Sequence, residues 1–399
     1  MAPTACVVRF INIAHALDHL MVLIFPTAVL GMGVSFGDSY GSLLALSIGG
    51  AVAFGAGSMP AGWLGDRWSQ RNMMTVFFVG VGAAALLTAV SATPVMLAAS
   101  LTLLGLFAAI YHPVGTAMLV ANAGKLGRTI GVNGVWGNMG VAAAAITAGT
   151  LTQYLGWRWA FAVPGVAAIA LGIAFHVMVP NQTAQKKAAA RGNATLPRSV
   201  VVHAFSVLVL VAASGSVVFQ AVTNSMPKVF DERFSLLAGS PFLIGVLVAV
   251  VYVIGAMAQL IVGHFVDRHP LRTVFLPLSL IQGPCLLLAA WAQNWAMLGL
   301  AVAITFGIFG QVTINDAMVA RYTDHAWRAR AYAFRYVVSF SAGACAIPLV
   351  AVLHERAGGF TVTFLVLAAF GSLVFAGALL FPHRPEELET LPVRAQPAE

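Results

Sequence analysis

Long apolar blocks alternate with short polar connections along the whole chain. Twelve blocks can be marked, at 8–31, 41–63, 73–92, 94–119, 129–152, 158–180, 200–225, 241–265, 273–293, 295–319, 330–353 and 360–381. A helix that crosses a bilayer needs about 20 apolar residues, and each block supplies that length. Inside a block the apolar residues follow one another without the alternation of a transmembrane strand, which argues against a β-barrel. The pattern predicts an all-α membrane protein of twelve spans. The first block is too long for the core of a cleavable signal and has no basic segment before it, so it reads as the first span.

One connection stands apart. Residues 181–199 hold Lys186, Lys187, Arg191 and Arg198 together with Gly192 and Pro197. They read as a linker between an N-terminal half, 1–180, and a C-terminal half, 200–382. The tail at 383–399 is polar, rich in Glu and Pro, and expected to be disordered.

Composition narrows the class. Of the 399 residues 60% are hydrophobic and 9% charged, against about 25% charged in a soluble domain, so a water-soluble protein is excluded. The net charge of +8 sits between apolar blocks, where it sets topology and does not call for nucleic acid. With a cytoplasmic N-terminus, the even loops hold Arg67, Arg71, Lys125, Arg128, Lys186, Lys187, Arg191, Arg198, Arg268, Arg272, Arg321, Arg328 and Arg330. The odd loops hold Arg158, Lys228, Arg233 and Arg356. This asymmetry predicts that both termini and the linker are cytoplasmic, in a multi-pass protein of a bacterial inner membrane. Cys6, Cys285 and Cys345 form neither a disulfide framework nor a metal pattern, and are expected to be small buried hydrophobes.

The chain carries an internal repeat. After the second block the sequence reads Gly62-Trp-Leu-Gly-Asp66-Arg67-Trp-Ser-Gln-Arg71, and after the eighth Gly263-His-Phe-Val-Asp267-Arg268-His-Pro-Leu-Arg272. Each matched position lies 201 residues before its counterpart, 62 before 263 and 71 before 272, which is half the chain. Two parallel six-span halves are the architecture of a class of secondary transporters. The two loops resemble the cytoplasmic signature of the major facilitator transporters, G-x-L-x-D-R-x-x-x-R, with Phe265 replacing Leu in the second copy. The resemblance implies that Gly62, Asp66, Arg67 and Arg71, with Gly263, Asp267, Arg268 and Arg272, form a gate that balances the two open states. Gly62 and Gly263 are expected to let helices approach closely. Arg71 and Arg272 are expected beside the two acids.

Ionisable groups inside spans are costly and mark function. His15, Asp18 and His19 share one face of the first span at i, i+3 and i+4. Three readings stand: a proton-coupling or substrate site, a structural hydrogen-bonded knot, or a metal site, since His at i and i+4 is ligand spacing. In the fourth span Tyr111-His112-Pro113 marks a kink, with His112 lining a cavity or satisfying carbonyls freed by the proline. Asp316 and Arg335 lie at equal depth on adjacent spans, as an ion pair or with Arg335 as ligand of an anionic substrate group. Gln220 and Asn224 form a polar face of the seventh span, and Gln311 and Asn315 one of the tenth. In the fifth span Asn133 and Trp136 are cavity candidates, while Gly131, Gly134, Gly137 and Gly140 read as a close-packing face.

His15-Ala-Leu-Asp18-His19 and Tyr111-His112-Pro113 with Gly115 resemble the fosmidomycin-resistance branch, although Asp18 is displaced by one residue from that branch's acid. Drug–proton antiporters of the superfamily carry a Gly-Pro pair late in the fifth span, and this chain has none there. The chain contains no G-x-x-x-x-G-K-[ST] pattern, so ATP is not the expected driver. The leading expectation is a monomeric proton-coupled exporter of a small organic solute or drug, embedded in the lipid bilayer, with no cofactor, no bound metal and no enzymatic role. Proton-coupled uptake of an anionic metabolite is the alternative, and an intramembrane metalloenzyme using His15, His19 and His112 a remote one.

Overall fold

The computed structural model describes residues 3–123, 126–180, 197–323 and 328–383. Most of the linker and nearly all of the tail lie outside the described residues. The side chains of Arg128, Arg328 and Arg330 do too.

The described residues are helical apart from short connections. The first half contains α1 (Pro3–Leu23), α2 (Ile48–Arg67), α3 (Gln70–Ala89), α4 (Pro94–Ala108), α5 (Leu126–Leu155) and α6 (Trp157–Met178). The second contains α7 (Arg198–Arg233), α8 (Pro241–Val266), α9 (Leu271–Ala289), α10 (Asn294–Tyr322), α11 (Arg328–Ala344) and α12 (Thr361–Leu380). Short segments extend three of them. Phe25–Ala28 and Val29–Gly31 prolong α1, a π-turn at Tyr111–Gly115 and a turn at Thr116–Ala121 prolong α4, and Ala346–Ala357 prolongs α11. Tyr40–Ala45 leads into α2. Among the described residues, eleven of these segments are long and apolar enough to cross a membrane. α5, with 30 residues, has the length of the twelfth, but Asn133 and Asn138 interrupt its apolar run.

Most ends fall within a few residues of the apolar blocks, because apolar length is what the bilayer selects. α7 is the exception and runs on to Arg233. Its last turns are held by Lys228, whose Nζ lies 2.7 Å from Asp231 and 3.7 Å from Glu232, pairs spaced to face each other on a helix. Lys228 and Arg233 are therefore helical and not in a loop. Arg233 is buried and donates to the Ala289 carbonyl that ends α9, a favourable place for a cation. Arg158 does the same for the end of α3, with Nη2 3.1 Å from the Ser91 carbonyl.

The halves pack alike. In the first, α3 lies on α6, α1 on α5 and α2 on α4; in the second, α9 lies on α12, α7 on α11 and α8 on α10. Between halves, α5 meets α8 and α2 meets α11. The fifth-span glycines divide. A Cβ on Gly140 would strike the Ala16 carbonyl and one on Gly137 would lie 2.6 Å from the His15 ring, while one on Gly134 would come no nearer than 3.8 Å to Gln259 and one on Gly131 would meet open space. Only two of the four form a close-packing face, because Gly137 and Gly140 share the face that Asn133 turns to α1, while Gly134 points towards Gln259 of α8. A Cβ on Gly62 would lie 3.2 Å from Pro113, but one on Gly263 would meet nothing nearer than Thr313 at 3.9 Å, so the second copy of the motif does not pack as tightly as the first. Cys6 and Cys285 are half-buried and Cys345 is exposed. Cys345 sits where α11 breaks before Ala346, so the cysteines do not share a buried role.

Candidate transport site

Two features converge at the centre of the bundle. The first is a polar cluster built by α1, α4 and α5. His15 and His19 lie one turn apart on α1, with ring centroids 5.0 Å apart. Pro113 withdraws a backbone donor from α4, and the helix widens there into the π-turn. That turn brings His112 to 5.6 Å from the His15 ring and 5.7 Å from the His19 ring. Its Nε2 lies 3.5 Å from the Asp18 carboxylate. Asp18 is fully buried and neither of its oxygens accepts a hydrogen bond. His112 is therefore directed at Asp18 and its neighbouring rings, and not at the carbonyls freed by the proline.

Asn133 ties the cluster together. Its carbonyl lies 2.8 Å from His15 Nδ1, its Oδ1 accepts from the Tyr111 hydroxyl at 3.1 Å, and its Nδ2 donates to Asn12 Oδ1 at 3.0 Å. Tyr111 is buried and stacks on His15 at 4.8 Å. Asn133 and Tyr111 thus hold His15 in place. Trp136 is 42% exposed and takes no part.

The second feature is a cleft between the halves. Phe25, Phe54, Phe340 and Ile347 line it with Gln220 and Asn224. Asn224 Nδ2 donates to the Gln220 carbonyl at 2.8 Å. Phe54 and Phe340 form the wall shared with the cluster, with ring centroids 5.9 and 5.7 Å from His112. Tyr336 stacks on Phe340 at 5.7 Å and reaches His112 at 6.1 Å. These aromatic positions are indistinguishable in sequence from the other apolar residues of their blocks. Gln311 and Asn315 do not line the cleft; they bond to each other at 3.0 Å and are buried, with Gln311 facing Gly215 of α7.

Arg335 and Asp316 form an ion pair between α11 and α10. Arg335 is buried, with its guanidinium 5.1 Å from the Tyr336 ring, and the Asp316 side chain is 44% exposed.

The halves close on the side opposite the duplicated loops. Glu355, at the end of α11, accepts from the Ser39 hydroxyl and from the Gly41 backbone at 3.0 Å. Gly41 has no room for a side chain there, since a Cβ would lie 2.8 Å from the Ala351 carbonyl. His354 Nε2 lies 2.8 Å from Glu232 while its ring packs on Tyr40 at 5.0 Å. Nearby, Gly149 packs on the backbone of Pro241 and Gly245, and Tyr154 on Phe242. Sequence reasoning missed this seal; its signal was His354-Glu355-Arg356 at the end of the eleventh block.

On the loop side, Arg71 and Arg272 do not sit on Asp66 and Asp267. Arg71 donates to the His176 carbonyl and, at 2.9 Å, to the Val179 carbonyl, and Arg272 donates to the Leu379 carbonyl at 2.7 Å. The last carbonyls of α6 and α12 lack intrahelical donors and attract cations, and they win these side chains. Arg67 stacks on Trp63 at 4.4 Å, and Arg268 contacts His264 at 3.2 Å.

The sequence matches the Major Facilitator Superfamily over residues 11–242 and 235–398. The chain belongs to that superfamily. Over 121 residues it is 34% identical to the puromycin resistance protein pur8 of Streptomyces alboniger, covering 30% of this chain and 24% of that protein. Over 153 residues it is 27% identical to a multidrug resistance protein B homolog of Mycobacterium tuberculosis, covering 38% of this chain and 28% of that one. The matches span about a quarter of the length of these curated relatives. The fold is that of a bacterial homolog of the human lysosomal transporter Spinster, inward-facing and unoccupied, with a TM-score of 0.77 and 13% identity over 100% of both chains. It is also that of the inward open xylose transporter XylE from E. coli, with a TM-score of 0.75 and 13% identity over 97% of this chain and 99% of that one. With its eleven described helices long and apolar enough to cross a membrane, this superfamily member is a multi-pass membrane protein.

Proposed function

We propose that the protein exports a small organic solute or drug across a bacterial inner membrane, as a monomer, by proton-coupled alternating access. The observation that carries this reading is one-sided closure. The cleft is sealed at the Ser39–Glu355 end. Towards the duplicated loops, Gly131 faces open space and the Thr116–Ala121 turn packs on elements of its own half. With the basic loops placed in the cytoplasm, this is the inward-facing half of the cycle.

The cleft walls are apolar and aromatic, with Gln220 and Asn224 as polar contacts, a lining suited to an amphipathic organic solute. Export is supported by the relatives named for puromycin and multidrug resistance. Coupling is supported by Asp18, a fully buried carboxylate that no donor meets. Such a group has to travel with a cation whenever water is excluded. Uptake of an anion through Arg335 takes second place, because Asp316 already engages that guanidinium.

The test has two stages. A thermal-shift screen of purified protein against antibiotics, organic acids and lysolipids identifies a ligand, since binding to the folded state alone raises the melting temperature. Proteoliposomes with an imposed pH gradient then report flux of that ligand. Flux that ignores the gradient would overturn proton coupling, and movement only of organic acids would overturn the substrate class.

A further inference from the structure

The cluster holds more nitrogen ligands than the balancing of one carboxylate requires. One ligating atom from each of His15, His19 and His112 lies within 4.8 Å of the other two. The rings come from two helices, and each is positioned by its surroundings.

His15 shows the arrangement best. Its Nδ1 faces the Asn133 carbonyl oxygen at 2.8 Å. A carbonyl only accepts, so Nδ1 carries the hydrogen and Nε2 keeps its lone pair. This is how metal-ligating histidines are held by a neighbouring backbone or carboxylate oxygen. Gly137 faces that ligating edge, and a Cβ there would lie 2.6 Å from Nε2. His19 has no hydrogen-bond partner among the described residues. Beside the three rings both oxygens of Asp18 are buried without a donor, 3.5 Å from His112 Nε2 at the nearest.

We infer that His15, His19 and His112 bind one divalent transition-metal ion of the zinc class, with the Asp18 carboxylate beside His112 as a counter-charge. Three imidazoles match the ligand type and number of a tetrahedral site whose fourth position is left open. Bonds of about 2.0–2.1 Å would place the nitrogens roughly 3.4 Å apart, so the rings close in by about an ångström on binding. Side-chain rotation and the widened π-turn beneath His112 allow that movement. The alkaline-earth ions prefer all-oxygen sites and are disfavoured here. The inference rests on the position of the cluster in the transport reading, but not on the direction or substrate of transport.

The experiment uses the full chain in detergent after chelator treatment. Zn²⁺ is titrated by calorimetry, and Co²⁺ serves as an optical probe of nitrogen-rich tetrahedral coordination. The expected result is one Zn²⁺ per chain and a visible Co²⁺ ligand-field band. His19→Gln and His112→Gln should each weaken binding at least ~10-fold, the scale seen even for outer-shell losses. The double variant His264→Asn/His269→Asn, at the exposed end of α8 and the turn after it, should bind as the parent does. Absence of stoichiometric binding, or affinity unchanged in both cluster variants, would overturn the site. A second measurement needs no variant: Zn²⁺ should protect His15, His19 and His112 from diethyl pyrocarbonate, read residue by residue by mass spectrometry. Protection confined to other histidines would also overturn it. Binding is read without transport, so a protein that binds Zn²⁺ but moves no solute sinks only the transport reading. One that transports but binds none sinks only this inference.

Discussion

Asp18 of α1 and His112 of the π-turn that prolongs α4 face each other at 3.5 Å, the carboxylate fully buried, and no hydrogen-bond donor meets it. An Asp18→Asn substitution keeps the shape and removes the charge. Accumulation of solute driven by an imposed pH gradient should be abolished, while exchange in the absence of a gradient persists. The melting temperature should not fall, because the cost of an unpaired buried charge disappears. Proteoliposome flux and a thermal melt on the same variant check both statements, and retained accumulation would move the coupling site elsewhere.

The Asp316–Arg335 pair is asymmetric, with a buried guanidinium against a carboxylate that is 44% exposed. Asp316→Ala strands the buried charge and should cost about 3–5 kcal/mol. Arg335→Ala leaves an acid that water can reach and should cost less. The double variant should be less damaged than the sum of the two. Chemical denaturation of the four proteins gives the coupling, and strict additivity would show that the pair contributes nothing.

Glu355 seals one face of the molecule by accepting from Ser39 and Gly41. Glu355→Ala should favour the conformation open on that face, and Gly41→Val should do so more strongly, since Gly41 has no room for a side chain. A cysteine placed at Ser47, in a background without Cys6, Cys285 and Cys345, should then react several-fold faster with an impermeant thiol reagent on that side. An unchanged labelling rate would remove the seal from the mechanism.

The fifth-span glycines should separate on substitution. Gly140→Leu forces α5 away from the Ala16 carbonyl and should destabilise by about 1–3 kcal/mol, the usual cost of overpacking. Gly131→Ala meets open space and should be neutral or stabilising by up to about 1 kcal/mol, through helix propensity. Melting temperatures in detergent distinguish the two, and equal losses would contradict the packing.

Features that depend on neighbours along one helix were legible without a structure. The apolar lengths gave the spans, because the bilayer measures a local property of the chain. Half-chain spacing of Gly62–Arg71 and Gly263–Arg272 revealed the duplication. His15 and His19 were readable as a pair, since i and i+4 share a face whatever the helix packs against. Equal depth on consecutive spans made an Asp316–Arg335 pair one of two readings, and the folded arrangement forms it.

What only the tertiary structure decided is which helix faces meet. His112 reaches His15, His19 and Asp18 through a π-turn that the Tyr-His-Pro spelling does not specify. Arg71 lies five residues from Asp66 in sequence yet is taken by the terminal carbonyls of α6, which only folding brings within reach. Phe54 and Phe340 face the cleft while Gln311 and Asn315 turn away from it. Polarity did not predict this, because helices in lipid associate through shape and small residues and gain nothing from hiding apolar surface.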